Sequence, residues 1–293
     1  VYLCSETQER FMWVCPPDMT KMIVEHYNIK YNLPEVSDGA MASVIGKIRS
    51  DGQYIVHYNN EIIVDAKADR VTKGFLYERP FSSSGKTIES TKPQELNNYN
   101  ADLISLLSHE NLASRKSIYD QYDKQVQGRV VLEPGQGDSG IMAPFNSEDF
   151  PPEIRLTGIA LSTDHNPLYG SIDPYWAGVN AVVESMRNIA AVGATPHALT
   201  DCLCFGNPEK ENQMWEFVQS VRGISDACSA ISLKQHPGHP TPIIAGNVSF
   251  YNESKNGSIP PSPIVSCLGK LENVKKAITM SIKLSNSNLI LIG

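Results

Sequence analysis

The chain has 293 residues, 41% of them hydrophobic, and a formal net charge of −7. That length and apolar content suffice to bury a substantial core and suggest about two domains. The acidic balance excludes a non-specific nucleic-acid binder, which needs dense Lys/Arg faces, but it leaves room for a phosphorylated small molecule held by backbone N–H groups.

In chain order, Val1 to about Pro80 reads as one α/β unit. The segment CSETQERFMWVC leads into a short strand over Phe11 to Cys15, and PPDMTKMIVEHYNI follows as a helix with Met19, Met22, Ile23 and Tyr27 at helical spacing behind its prolines. MASVIGKI, GQYIVHYN and EIIVDAKA read as three strands, the last two joined by a tight hairpin at Asn59-Asn60. From Phe81 to about Asn100 the sequence is polar and without apolar periodicity, a linker. ADLISLLSH and Ser114 to Val126 are expected to be helical.

After the Gly-rich turn PGQGDSG come the strand EIRLTGIALSTD and the helix DPYWAGVNAVVESMRNIAAVG. Asp173 suits that helix as its cap and Pro174 its first turn, with Val179, Val182, Val183, Met186 and Ile189 as its buried stripe and Gly193 at its exit. HALTDCLCF is the next strand, and a helix runs from about Pro208 to Ile231 with Met214, Phe217, Val221, Ile224, Cys228 and Ile231 on one face. TPIIAGNVSFYNE and SPIVSCLGKL add two more strands, so the fold class is α/β (α+β) with mixed sheets packed by helices. Residue 1 is Val, and the final NLILIG reads as a buried strand with nothing after it, which suggests an excised piece of a longer protein.

Three stretches carry candidate chemistry. In TDCLCFGNPEK, Asp201 lies in an apolar strand just before a helix that Asn207 and Pro208 suit as cap and first turn, so a phosphate can sit at the helix N-terminus. In AGNVSFYNE, Gly246 lets a ligand approach the backbone, Asn247 offers a hard amide oxygen for magnesium, and Ser249 a hydroxyl. In SETQERF, Glu6, Thr7 and Gln8 stand before a strand where polar groups converge on a small molecule. Taken singly, each stretch is equally a capped helix, a strand followed by a turn, or a solvated loop, and those bland readings are commoner. His165 and His197 lie near strand ends without an assigned role. Of the six cysteines only Cys202 and Cys204 are close, on one face of a strand, and the set reads as reduced thiols of a cytoplasmic protein. No stretch is long and apolar enough to span a bilayer, and no signal-peptide layout opens the chain.

Taken together, SETQERF, ASRKSIYDQYD, TGIALSTDHNPLYGSIDPYWAGVNAVVESMRN, TDCLCFGNPEK, VRGISDAC and AGNVSFYNE resemble, in order, phosphoribosylformylglycinamidine synthase in its small-subunit form. The resemblance implies tandem ATP-binding synthetase-type units. Residues 1–80 would be the latter part of the first copy's C-terminal α/β domain, 81–100 a linker, 101–272 the second copy's N-terminal domain, and 273–293 the start of its C-terminal domain. It implies an ATP- and Mg2+-dependent ligase that converts formylglycinamide ribonucleotide and ammonia to the amidine. The ammonia would come from a glutaminase subunit, with a small accessory subunit in the complex and neither nucleic acid nor membrane as partner.

Carried over by motif, Glu6, Thr7, Gln8 and Ser249 would contact substrate, Asp201 and Gly246 ATP, and Asn247 magnesium. The family's catalytic histidines belong to a first N-terminal domain outside this sequence, so no catalytic residue is expected here and the piece is expected not to turn over alone. Cys204 stands where the family usually has Asn, Thr7 where it has Ser, Phe250 where Leu is common, and Ser139-Gly140 where alanines are typical. Alternatives are a related synthetase, such as aminoimidazole ribonucleotide synthetase or selenophosphate synthetase, and a non-catalytic scaffold copy that docks partner subunits.

Overall fold

A computed structural model describes residues 10–74, 77–83, 85 and 98–291. The chain divides into two compact units, Val1–Tyr77 and Glu78–Gly293.

In the first unit, a 3-10 turn at Pro17–Met19 opens α1 (Thr20–Glu25), which widens into a π turn over His26–Lys30. The antiparallel hairpin of β1 (Gln53–Tyr58) and β2 (Glu61–Lys67) follows, then α2 (Ala68–Lys73). Asn59 and Asn60 turn that hairpin with φ of 48° and 67°, the left-handed pair that a two-residue turn matched to strand twist requires. Two expected strands do not form. Phe11 to Cys15 and Met41 to Ile48 pair with no strand among the described residues, and Phe11 (85%) and Ile48 (83%) stand exposed. A β-branched or aromatic run becomes a strand only where a neighbour takes up its backbone groups, and propensity alone does not supply one.

The second unit begins with α3 (Tyr99–Ser108), capped by Asn98, and the single turn α4 (Lys116–Tyr119), much shorter than the helix expected over Ser114 to Val126. Then come β3 (Val130–Leu132), β4 (Gly140–Met142), β5 (Gly158–Asp164), α5 (Pro167–Ile172), α6 (Pro174–Ala191), β6 (Thr195–Cys204) and α7 (Glu211–Ala230). β7 (Ile243–Ser249), the two-residue strands β8 (Glu253–Ser254) and β9 (Gly257–Ser258), and β10 (Ser262–Leu271) complete it. Six strands form a mixed sheet in the order β3-β4-β5-β10-β6-β7. β5 and β6 each run antiparallel to β10, and β7 is parallel to β6, so the carboxyl ends of β5, β6 and β7 lie at one end of the sheet.

One face of this sheet is covered by α6 and α7, and the core lies between. Val182, Met186 and Ile189 of α6 and Ile224, Ala227 and Cys228 of α7 pack on Ala160, Leu199, Leu203, Phe205, Val265 and Cys267. α6 starts where its sequence signals place it, Asp173 Oδ1 accepting from the N–H of Tyr175 (2.9 Å) and Trp176 (3.2 Å). The two helices cross at Gly178 and Gly223; a Cβ on the first would overlap Ser220 O, and on the second Tyr175 O.

α7 begins three residues later than its Asn-Pro suggests. Asn207 Oδ1 accepts from Glu209 N (2.9 Å) and Asn207 O from Lys210 N (3.1 Å), so Asn207 closes a turn of its own and Lys210 stands at the cap, its side chain making no capping bond to the helix. The expected closing strand is also absent. Asn288 to Leu291 is not in a strand, and Leu289, Ile290 and Leu291 (98%) are exposed, because no described strand or apolar face covers them.

Candidate functional site at the edge of the sheet

Strand alternation decides what each candidate residue can reach. On β6, Leu199, Leu203 and the following Phe205 face the helices, so Asp201 does too, and Cys202 and Cys204 face the other side. The register sets Asp201 beside Val265 of β10 and Gly246 of β7. A Cβ on Gly246 would overlap the Asp201 carboxylate, and β7 is the outermost strand, so the missing side chain leaves that carboxylate approachable from the sheet's edge. Within the described residues Asp201 has no hydrogen-bond partner, and burial raises its pKa above the ordinary 3.8.

Asn247 pairs in register with Cys202, and Ser249 with Cys204. Their side chains therefore emerge on the face opposite Asp201. The structure brings Asp201 and Gly246 together, brings Asn247 and Ser249 onto one face, and does not bring Asp201 and Asn247 onto the same face. The Asn247 amide makes no hydrogen bond among the described residues. The Ser249 hydroxyl accepts from Asn252 Nδ2 at 3.1 Å. Glu6, Thr7 and Gln8 lie outside the described residues.

Loops beyond the carboxyl ends of β6 and β7 are tied together. Asn252 Nδ2 donates to Phe205 O (3.0 Å) and Ser249 O (2.9 Å), and Tyr251, at φ 60°, donates its N–H to Gly206 O (3.0 Å). Glu253 Oε1 accepts from Lys210 Nζ (2.8 Å), Ser258 Oγ (2.7 Å) and Asn207 N (3.3 Å), and Lys210, then Ser258, hold its carboxyl below the usual range. Beneath them Phe217 meets Phe205 and Phe250 edge-on, with ring centroids 5.3 and 5.1 Å apart. Asn252 sits within AGNVSFYNE, yet its clamping role follows from the left-handed Tyr251 before it, which the sequence does not announce.

A second polar group missed in the sequence lies in the same row. Asp164, at the end of β5, is across Val265 from Asp201. Asn188 Nδ2 donates to Asp164 Oδ1 (2.8 Å), whereas Asp164 Oδ2 and both ring nitrogens of His165 are buried without partners among the described residues. Burial first, then the charge of Glu184, raises the Asp164 pKa, and burial lowers that of His165. The only local sign was STDHNP at a strand end.

A magnesium ion fits this site in a limited way. No group of three or more His, Cys, Asp or Glu side chains converges among the described residues, so Asn247 would be one hard oxygen ligand among ligands brought by a nucleotide and water. No helix of the described residues is long and apolar enough to cross a membrane.

The family model described as AIR synthase related protein, N-terminal domain, matches residues 152–271. Over 292 residues the chain is 45% identical to the phosphoribosylformylglycinamidine synthase subunit PurL of Methanothrix thermoacetophila, a match covering 99% of the chain and 37% of that relative. The fold is similar to that of PurLQS from Thermotoga maritima, with a TM-score of 0.60 and 23% identity, over 89% of this chain and 37% of that one. T. maritima PurL complexed with AMPPCP matches with a TM-score of 0.51 and 26% identity, over 78% of the chain and 33% of that one. The chain thus spans a little over a third of the length of the relatives it matches.

Proposed function

We infer that the chain belongs to the PurL family of phosphoribosylformylglycinamidine synthases and contributes a nucleotide-binding wall to an ATP-dependent C–N ligase of purine biosynthesis. The observation that carries this is the 45% identity sustained over 292 residues, which includes every motif discussed above. In the reaction, ATP phosphorylates the amide oxygen of formylglycinamide ribonucleotide, and ammonia then displaces phosphate to leave the amidine. A glutaminase subunit supplying ammonia and a small accessory subunit are the proposed partners, and the multi-subunit PurLQS neighbour supports an assembly of that kind.

A nucleotide on this wall straddles the open edge of β7. Backbone at Gly246 and the Asp201 carboxylate meet it from the helix side, and the Asn247 amide oxygen, without a partner among the described residues, supplies a magnesium ligand on the other face. Ser249, fixed by Asn252, is placed for a polar group of the substrate on the Asn247 face. Magnesium, when bound, offsets charge that develops on the transferring phosphoryl oxygens. AMPPCP bound to a PurL relative supports the nucleotide assignment.

Calorimetry of the chain with AMPPCP and magnesium tests this. Saturable binding is expected, weakened by Asp201→Ala and, only when magnesium is present, by Asn247→Ala. Affinities indifferent to both substitutions would instead favour a scaffold copy that docks subunits.

A further inference from the structure

We propose that Asn252 is a positioning residue that sets the Ser249 hydroxyl as a hydrogen-bond donor, so that the substrate group it meets is an oxygen without a hydrogen of its own, carbonyl or phosphoryl. The proposal rests on the assignment of Ser249 to substrate made above and names the chemistry of that contact.

The Asn252 amide has one tenable orientation. Its Nδ2 lies 3.0 Å from Phe205 O and 2.9 Å from Ser249 O. Turned over, the amide would set Oδ1 against those same two carbonyl oxygens, acceptor against acceptor, so the backbone at the ends of β6 and β7 fixes which side donates. Main-chain bonds hold the residue as well: Asn252 N donates to Phe205 O (3.2 Å), and Asn252 O accepts from Ile259 N (3.0 Å). With its hydrogens directed at the two carbonyls, Nδ2 also meets Ser249 Oγ at 3.1 Å, and because an amide nitrogen accepts nothing, the hydroxyl oxygen is the acceptor in that shared bond.

The hydroxyl hydrogen is left over. Its one partner among the described residues is Asn252 Oδ1 at 3.4 Å, well beyond the roughly 2.5–3.0 Å of an O–H···O bond. Cys204, beside Ser249 in the register, offers only sulfur, a weak acceptor. The hydroxyl thus has its accepting bond made and its donating bond still to make, and a ligand oxygen satisfies it better than a ligand N–H. Half-buried Ser249 stands at the end of the outermost strand, two residues beyond Asn247 on the same face, so a group rich in oxygen can meet both.

Calorimetry of the chain with formylglycinamide ribonucleotide tests this. Ser249→Ala and Asn252→Ala should each weaken binding by about three- to tenfold, as loss of one neutral hydrogen bond does, and the double variant should bind no more weakly than Ser249→Ala alone. Ribose phosphate and N-formylglycinamide tell the two kinds of oxygen apart: the probe whose binding Ser249→Ala weakens carries the acceptor, and indifference of both would overturn the proposal. Unchanged affinity for the ribonucleotide in Ser249→Ala would remove the substrate assignment and the proposal with it. If Ser249→Ala weakens binding but Asn252→Ala does not, or if the two losses add, the assignment stands and the proposal alone falls. In the unsubstituted chain, where folding is not in question, NMR of isotope-labelled asparagine should show both Asn252 side-chain amide hydrogens protected from solvent exchange; freely exchanging hydrogens would also overturn it.

Discussion

Gly246→Ala separates a glycine kept for ligand approach from one kept for packing. The three atoms nearest the added Cβ all belong to the Asp201 carboxylate, the far end of a flexible side chain, so the carboxylate swings aside and the backbone stays in register. On an exposed outer strand the loss of glycine is itself slightly favourable, so folding stability should change by less than about 1 kcal/mol. Nucleotide binding should suffer more. Displacing one charge-assisted hydrogen bond costs about 1.5–3 kcal/mol, or roughly ten- to a hundredfold in Kd. Calorimetry with AMPPCP measures the second quantity and urea unfolding the first. The two sites also have to be coupled: once Asp201→Asn has removed the charge, Gly246→Ala should cost little more affinity. Undiminished affinity in Gly246→Ala, or fully additive losses in the double variant, would refute the reasoning.

Gly178→Ala and Gly223→Ala should behave in the opposite way, each destabilising the second unit by about 2–3 kcal/mol in urea unfolding, because the new Cβ meets backbone of the opposing helix and no rotamer relieves it. At one crossing the pair should cost less than the sum, since helices already parted by the first methyl accommodate the second. Asp201→Asn should stabilise the chain at neutral pH. Burial raises the folded-state pKa above 3.8, so the penalty for the charged form is fully present above the raised value; the gain should shrink as pH falls towards 3.8 and vanish below it, as pH-dependent urea midpoints will read. Asp173→Ala removes the cap of α6 and should cost about 1 kcal/mol in the same assay.

Much of the second unit is legible in the sequence because its signals are local. α6 carries its cap in Asp173 and its exit in Gly193, at φ 85°, and the β1–β2 hairpin is announced by two asparagines that tolerate left-handed backbone. Phe11 to Cys15, Met41 to Ile48 and the final apolar run read equally well as strands and are not, since a strand is completed by a neighbour that local composition does not name. Asn207 carries a helix cap's chemistry and spends it on a turn three residues early, a choice between two local hydrogen bonds that composition leaves undecided.

The arrangement of the candidate site turns on a single irregularity. β6 and β7 pair as Leu199 with Ile243, then the register shifts, and Thr200 pairs with Ala245. Had the first pairing continued, Asp201 would stand beside Ala245, and Asn247, two residues further along β7, would share its face. The shift of one residue puts Gly246 beside Asp201 instead and turns Asn247 away, as a one-residue slip must when side chains alternate. Three consequences follow from that slip: the position next to the carboxylate has no side chain, the amide oxygen belongs to the other face, and any ligand touching both has to pass around β7. Such a passage is open only because β7 is the last strand of the sheet. An aspartate in an apolar strand was the visible anomaly, but what it can reach is fixed by a bulge and a sheet order, both long-range properties that no window of TDCLCFGNPEK or AGNVSFYNE contains.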